Sequence, residues 1–299
     1  MPNQPSFTLV NRRNGEPAFK LFSFEDNSFF DTLQRNNFFT LIWIKSGRGS
    51  VDADFTTYHF EANSLFAFAP YQPYVLRTST PVNGIAIYFH PDFFCIHKHQ
   101  KELGLNGVLY NNVYQPPFVK VDDPSAAIFT MVCNQIARET QHAALAQHEL
   151  LVAYLKIFLI TASRLKIEQQ PVLQEMAAGT NEPFILQKLK DAIEDNFRTR
   201  HSASEYARLL YMSPKALAKT AKAHFNKTLS GLINERIIIE AKRELYLTDK
   251  TVKAIAHGLG YEDEYYFSRF FKTNTGVSPQ LFRDTVGFAK GMPPTNQAA

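Results

Sequence analysis

Three groups of side chains in this sequence have chemistry to offer. Between residues 211 and 230 stand Lys215, Lys219, Lys222 and Lys227, with no acid among them. Lys215 and Lys219 are four residues apart, so on a helix they leave one face together, away from Leu217, where an ammonium can bond guanine O6/N7 or a phosphate. A helix face that merely meets water has the same pattern, and its place within a repeat decides between the two. Arg269 and Lys272 form a second basic pair, preceded by Glu262, Asp263 and Glu264. Acids at a helix start answer its dipole and open N–H groups, which is the reading for Glu262 and Asp263; Glu264 is equally placed to accept from cytosine N4. The third group is Cys95, His97 and His99. In a strand all three share a face, and in a helix only Cys95 and His99 do. No fourth ligand is evident and Lys98 opposes a cation, so a polar connection with one buried Cys is expected there, without metal.

Catalysis finds less support. A metal-binding barrel carries an HxH pair followed by a Glu and a later His, and the strand-forming region offers His59 with Glu61. There is no GxSxG, no Walker loop and no cysteine with an evident base. The chain is read as a non-enzyme with no cofactor. Two cysteines in 299 residues exclude a disulfide framework and a four-Cys zinc module, and they fit a reducing, cytoplasmic setting. The start lacks a signal-peptide pattern, and the longest apolar stretch, 145–160, is interrupted by Gln147, His148, Glu149 and Lys156, so no membrane contact is expected. The formal charge of +4 says little until it is divided. Residues 181–299 hold 18 basic and 13 acidic residues, net +5, and residues 1–180 the remaining 14 and 15, net −1.

The elements that must position these groups differ between the two halves. Residues 38–44, 49–53, 56–60, 64–68, 74–77 and 84–89 read as short strands rich in β-branched and aromatic residues, separated by turn-forming segments. Their spacing predicts a small barrel or jelly roll. After Pro124 the period becomes helical, over 125–140 (Ile128, Val132, Ile136) and 144–166 (Leu151, Leu155, Phe158, Leu159). The second helix is apolar enough to need burial on more than one side, beneath the barrel or against its twin in a homodimer, and the dimer is the favoured reading. Residues 167–182 lack a period and are read as the linker, with Pro183 at a helix N1 position. The domains are therefore 1–166, the linker 167–182, and 183–299.

The last part is helical and contains a degenerate repeat, 204–217 and 251–267. Each copy has a small alanine (Ala207, Ala256) that lets helices approach, a turn residue four later (Tyr211, Gly260), and a second amphipathic helix: a helix-turn-helix. Gly260 suits a positive φ and Tyr211 does not, so a less regular first turn is expected. Ser213-Pro214 starts one helix and Glu262 or Asp263 the other. A helix over 229–247, with Leu232, Ile233, Arg236, Ile237, Glu240, Ala241 and Leu245 at its periodic positions, joins the copies.

The stretch Ala254-Ile255-Ala256, Leu259-Gly260-Tyr261, Tyr266-Phe267-Ser268-Arg269-Phe270-Phe271-Lys272, Gly276-Val277-Ser278-Pro279 and Phe282-Arg283 closely resembles the signature of the AraC/XylS transcription regulators. Asn234-Glu235-Arg236 and Ala241-Lys242 resemble that family's connecting helix. The likeness covers about 183–284. More weakly, by its strands, by 89–94 and by two following helices, the first domain resembles the family's cupin-like effector and dimerisation domain. The resemblance implies an α+β multidomain fold, a cupin-like β-barrel with trailing helices followed by seven helices forming two helix-turn-helix units. It implies a sequence-specific regulator, ligand-responsive and activating, in which two recognition helices, about 214–224 and 263–273, read adjacent major-groove segments of double-stranded DNA. The family's base-facing positions fall on Lys215, Ala218 and Lys219, and on Glu264, Tyr265 and Ser268; Lys222, Arg269 and Lys272 are expected beside them. RNA polymerase and a second copy of the chain are implied partners. Ala221 replaces the family's usual large aromatic, leaving Phe225 to fill the space, and Asn226 replaces its usual Gly.

A small-molecule effector would sit among inward strand residues, with Phe39, Trp43, Phe66 and Tyr88 as candidates. Alternation alone does not separate pocket from plain core at these positions. The competing reading is a metal-sensing or enzymatic cupin domain fused to a DNA-binding module.

Overall fold

A computed structural model describes residues 6–11, 15, 17–53, 56–96, 108–110, 113–141, 144–169 and 184–286. Among the described residues the first part holds nine strands: β1 (Ser6–Val10), β2 (Pro17–Phe24), β3 (Phe39–Ser46), β4 (Gly49–Ala53), β5 (Thr56–Phe60), β6 (Ser64–Phe68), β7 (Tyr74–Thr78), β8 (Asn83–Phe89) and β9 (Phe118–Lys120). They form two antiparallel sheets, one in the order β1-β2-β8-β3-β6-β9 and one in the order β5-β4-β7. Neither closes. Among the described residues β1 and β9 are the edges of the large sheet and β5 and β7 those of the small one, with a single bridge from Gln34 to Tyr74 of β7.

The cupin-like barrel expected from strand spacing is therefore absent. Spacing sets strand length and turn frequency, which open layers and barrels share; pairing alone distinguishes them. The decisive bend follows β3, where the ladder with β8 shifts register between Ile44 and Ser46 and Gly47 takes φ 95°. A Cβ at Gly47 would collide with Pro81 O, so the chain turns there only because that atom is missing. β4 then starts a second sheet instead of extending the first.

Helices α1 (Asp123–Gln141) and α2 (Gln147–Glu168) cover the far side of the large sheet. One core, with Phe19, Leu41, Trp43 and Phe89 from the sheet, meets Phe129, Val132, Leu155 and Phe158 from the helices. The other, with Phe22, Ile42, Phe66 and Phe68, meets Val51, Phe60 and Leu76 of the small sheet. Both faces of the large sheet are thus dry, and the first six residues of β3 and all of β6 are buried. This explains why those strands read as unbroken apolar runs: with helices on one side and a sheet on the other, neither alternate face needs polar residues. It also accounts for the buried residues of α2, whose Leu151, Leu155, Phe158, Leu159, Ala162 and Leu165 pack beneath the sheet. Ile128 of α1 faces outward, while Phe129 takes an inward place.

The remaining helices are α3 (Phe184–Asn196), α4 (Ala203–Leu209), α5 (Pro214–Phe225), α6 (Leu229–Leu247), α7 (Val252–Gly258), α8 (Glu264–Thr275) and α9 (Pro279–Val286). The range expected for the joining helix is that of α6, and its periodic positions Leu232, Ile233, Ile237, Ala241 and Leu245 are buried in one core with Tyr206, Leu217, Ile255, Phe267 and Phe271. α3 begins at Phe184, one residue after the Pro183 assigned to N1; that proline and most of the expected linker lie outside the described residues. No helix among the described residues is long and apolar enough to cross a membrane.

Candidate nucleic-acid interface

Two helix pairs, α4–α5 and α7–α8, stand at the ends of α6, and each shows the local chemistry that makes a tight turn between helices. α4 starts with a reciprocal capping box, Ser202 with Glu205, whose Oε2 accepts from the Ser202 N–H at 2.9 Å. Ser213 Oγ accepts from the Ala216 N–H and Pro214 opens α5. In the second pair Thr251 Oγ1 accepts from the Ala254 N–H, and Asp263 Oδ1 from the Tyr265 N–H, so Asp263 is the cap and Glu262 is not. Ala207 and Ala256 are fully buried at the helix crossings.

The turns differ from expectation in one respect. Tyr211 does adopt the left-handed conformation, φ 55°, as Gly260 does at φ 79°. The first turn is therefore regular in kind and bears the strain of an aromatic residue at positive φ. Its side chain, 98% exposed, receives no packing in return. Asn226 ends α5 at φ 54°, in keeping with its tolerance of that conformation, and Gly276 ends α8 at φ 86°.

On α5, Lys215, Ala218 and Lys219 are exposed, on the side opposite buried Leu217 and Ala221. Lys222 is exposed too, but its Nζ donates to Asn226 O at 3.0 Å and so closes the end of its own helix. Lys227 leaves the group altogether. It is buried, with Nζ 2.6 Å from Glu235 Oε2, so the basic face has three lysines rather than four. Sequence spacing missed the pair because Glu235 is eight residues away, on α6.

On α8, Tyr265, Arg269 and Lys272 are exposed and Glu264 and Ser268 half-buried, while Phe267 and Phe271 fill the core. Tyr266, 57% exposed, lies against Tyr261, whose ring also meets Phe267 and Phe270. Lys215, Lys219, Arg269 and Lys272 form no ion pair among the described residues, in contrast to Arg198, Arg236 and Arg243, which converge on buried Glu240 at 2.6, 3.4 and 2.8 Å. Burial pulls the Glu240 carboxyl upward, but Arg243, Arg236 and Arg198 outweigh it and hold the group below the usual carboxylate range. The guanidiniums that build the fold are thus spent on Glu240, and the cations of α5 and α8 are left for a partner.

Phe225 is half-buried, packed against the core that holds Ala221, and its ring also meets Tyr114 of the β-rich part, ring centroids 5.7 Å apart.

The four effector-pocket candidates are not brought together. Phe39 and Trp43 face α1 and α2, whereas Phe66 and Tyr88 belong to the layer facing the small sheet. Trp43 packs edge-on to Phe129 and Phe39 lines a cavity of about 20 Å³. Of the soft-ligand group only Cys95 is described; it is buried, and His97 and His99 lie outside the described residues. No group of three or more His, Cys, Asp or Glu among the described residues is arranged to hold a metal.

A protein family described as "Helix-turn-helix domain" matches residues 206–285, the segment from α4 to α9. Relatives along the chain include the uncharacterised HTH-type transcriptional regulator YfiF of Bacillus subtilis, 23% identical over 266 residues that span 86% of this chain and 80% of that protein. The raffinose operon transcriptional regulatory protein RafR of Pediococcus pentosaceus is 28% identical over 95 residues, 32% of this chain and 34% of RafR. These relatives are transcription regulators by name, and the helix-turn-helix match covers the helical part of the chain, which a β-rich part precedes. The chain also resembles the solved structure of ToxT from Vibrio cholerae O395, with TM-score 0.40 and 17% identity over 92% of this chain and 99% of ToxT. The chain spans about a third of RafR and 44% of the uncharacterised HTH-type transcriptional regulator YijO of Escherichia coli.

The β-rich and helical parts are joined by a polar clasp. Thr285 O accepts from Asn37 Nδ2 at 2.9 Å and from His90 Nε2 at 3.0 Å, and Tyr71 OH donates to Thr285 Oγ1, whose own proton goes to Leu281 O. On its other side His90 Nδ1 lies 3.2 Å from the Asp92 N and 3.6 Å from Asp92 Oδ2. Lys242 Nζ to Pro70 O and Tyr246 OH to Pro91 O extend the contact along α6. The clasp engages α6 and α9 and leaves the basic faces of α5 and α8 open.

Proposed function

We propose that the chain is a ligand-responsive activator that binds double-stranded DNA as a homodimer, α5 and α8 each entering a major-groove segment on one side of the duplex. The observation that carries this reading is the pair of exposed, unpaired cation sets, Lys215 with Lys219 and Arg269 with Lys272, at corresponding places in two helix-turn-helix units. Lys215, Ala218 and Lys219 face bases on one side. Glu264, Tyr265, Ser268 and Arg269 do so on the other, with Lys222 and Lys272 near the backbone. Apolar residues left on the outside of α1 and α2, Met131, Leu150 and Ile157, suit a contact with a second copy. The β-rich domain receives the effector and passes its state through the clasp to α6 and α9, and the assembled activator engages RNA polymerase. The domains divide as 1–166 and 183–299 about the linker.

Selection of duplexes from a random library with the full chain, followed by affinity measurements across salt concentrations, tests this. Salt-dependent affinity is expected, its slope falling by about one unit for each phosphate-contacting cation removed. A duplex affinity that ignores salt overturns DNA binding. Unchanged affinity in Lys219→Ala and Arg269→Ala overturns the site assignment.

A further inference from the structure

The exposed cations of α8 continue beyond the helix itself. Positions four, seven and eleven residues after a first one share a helix face, so Tyr265, Arg269, Lys272 and the capping Gly276 form one stripe along α8. The three side chains on that stripe are exposed. Gly276 brings none of its own, and a side chain from the β-rich part lies in its place. Arg35 Cδ and Cζ are 2.8 and 2.9 Å from where a Cβ on Gly276 would stand. The segment that carries Arg35 is fixed on both sides. Gln34 exchanges backbone hydrogen bonds with Tyr74 at 2.9 and 3.3 Å, Asn36 O accepts from the Tyr71 N–H at 2.7 Å, and Asn37 is the member of the clasp that reaches Thr285 O. Arg35 itself is exposed and has no ion pair or hydrogen bond among the described residues. The negative end of the α8 dipole favours a cation at this spot, yet it leaves the N–H donors of an exposed guanidinium unused.

We propose that Arg35 is a DNA-backbone contact that the β-rich part lends to the second helix-turn-helix unit: with α8 in the major groove, its guanidinium binds a phosphate at the groove's edge, in line with Arg269 and Lys272. This rests on the DNA-binding reading above. Seven residues of helix separate Arg269 from Gly276, about 10 Å at 1.5 Å per residue. Duplex DNA carries one charge per about 1.7 Å of its axis, so a row of cations that long meets several phosphates. A guanidinium fork suits one of them, because two parallel N–H groups match two phosphate oxygens. α8 opens with Glu264 and has two cations of its own on this stripe; Arg35 adds a third. Since the third comes from the other part of the chain, affinity at α8 depends on how the two parts are joined. Parting them at the clasp withdraws one phosphate contact while α5 and α8 stay as they are, and by linkage bound DNA favours the joined arrangement.

The test uses the full chain and duplexes selected with it, with affinity measured across salt concentrations and folding followed by thermal denaturation. Arg35→Gln keeps an unbranched stem over Gly276 and removes the charge. It is expected to melt close to the parent, to lower the salt slope by about one unit, and to weaken all duplexes alike by several-fold, because a phosphate carries no sequence. Arg35→Lys should keep the slope. Arg48→Ala removes the same charge from an exposed site past the far end of β3, about 25 Å of strand away and beyond the reach of unscreened attraction, and should match the parent. An unchanged slope in Arg35→Gln, or an equal fall in Arg48→Ala, overturns the contact. Weaker binding with the slope kept and the Tm lowered also overturns it, and assigns Arg35 to holding the two parts together. If the parent's affinity ignores salt, the DNA-binding reading falls; if the parent responds and Arg35→Gln responds equally, that reading stands and this contact alone falls.

Discussion

The two helix-turn-helix units share a backbone and differ in almost everything attached to it. From the positive-φ residue to the helix cap, the first runs Tyr211 to Ser213 and the second Gly260 to Asp263, one residue longer. The first turn stands open, its tyrosine side chain in solvent. The second is pressed against the chain after α3, where a Cβ on Gly260 would collide with Arg198 O. α5 buries only Leu217 and Ala221, against Phe267, Phe271 and Thr275 in α8. One unit is lightly packed and strongly basic; the other is held by aromatic packing and begins with acids. A duplicated motif can thus divide its duties, with attraction to phosphate concentrated in one copy and rigid placement in the other.

Four experiments press on that division. The largest effect is expected from Gly260→Ala, which adds left-handed strain to a backbone collision and should cost about 3 kcal/mol in denaturant unfolding. A loss below about 1 kcal/mol would show the second turn to be as loose as the first. Next, Lys215→Ala with Lys219→Ala should lower duplex affinity, and should lower its salt slope by about two units where both ammonium groups also neutralise phosphate. Arg269→Ala with Lys272→Ala should do the same if both units touch phosphate, and much less if the first unit carries the attraction alone. Third, Glu264→Gln removes a charge near the DNA backbone and should tighten binding by about tenfold or less, since each such repulsion is worth about 1 kcal/mol in water. A loss of base preference at one position instead would assign Glu264 to cytosine. The smallest effect is expected from Tyr211→Gly, which relieves strain without removing a buried contact and should stabilise the fold by about 1 kcal/mol with DNA affinity intact. Lost DNA affinity there would reveal a role for the exposed ring.

Much of the helical half was legible because its signals are local. Caps, alanines at crossings and the period of α6 each act within a few residues, and the residue types placed α5 and α8 to within one or two positions. What escaped was set by partners far along the chain. The Lys227–Glu235 pair, the turn of Phe225 toward Tyr114 and the strain at Tyr211 depend on tertiary packing that no window contains. In the β-rich half, β4, β5 and β6 were bounded correctly from composition, yet the barrel was wrong. Strand order is a matter of pairing between segments tens of residues apart, and a sheet dry on both faces erases the alternation that would show which side is which.

The clasp at Thr285 has a consequence for the order in which the molecule is made. Its partner Asn37 precedes it by 248 residues. At about 5–20 residues per second of synthesis, a nascent β-rich domain waits on the order of ten to fifty seconds for α9 to leave the ribosome. During that interval Tyr71, Cys95 and Val113, buried against the helical half in the finished protein, have no cover. The β-rich domain produced alone should therefore tend to aggregate, and the cell's supply of chaperones bears on how much of the finished protein accumulates.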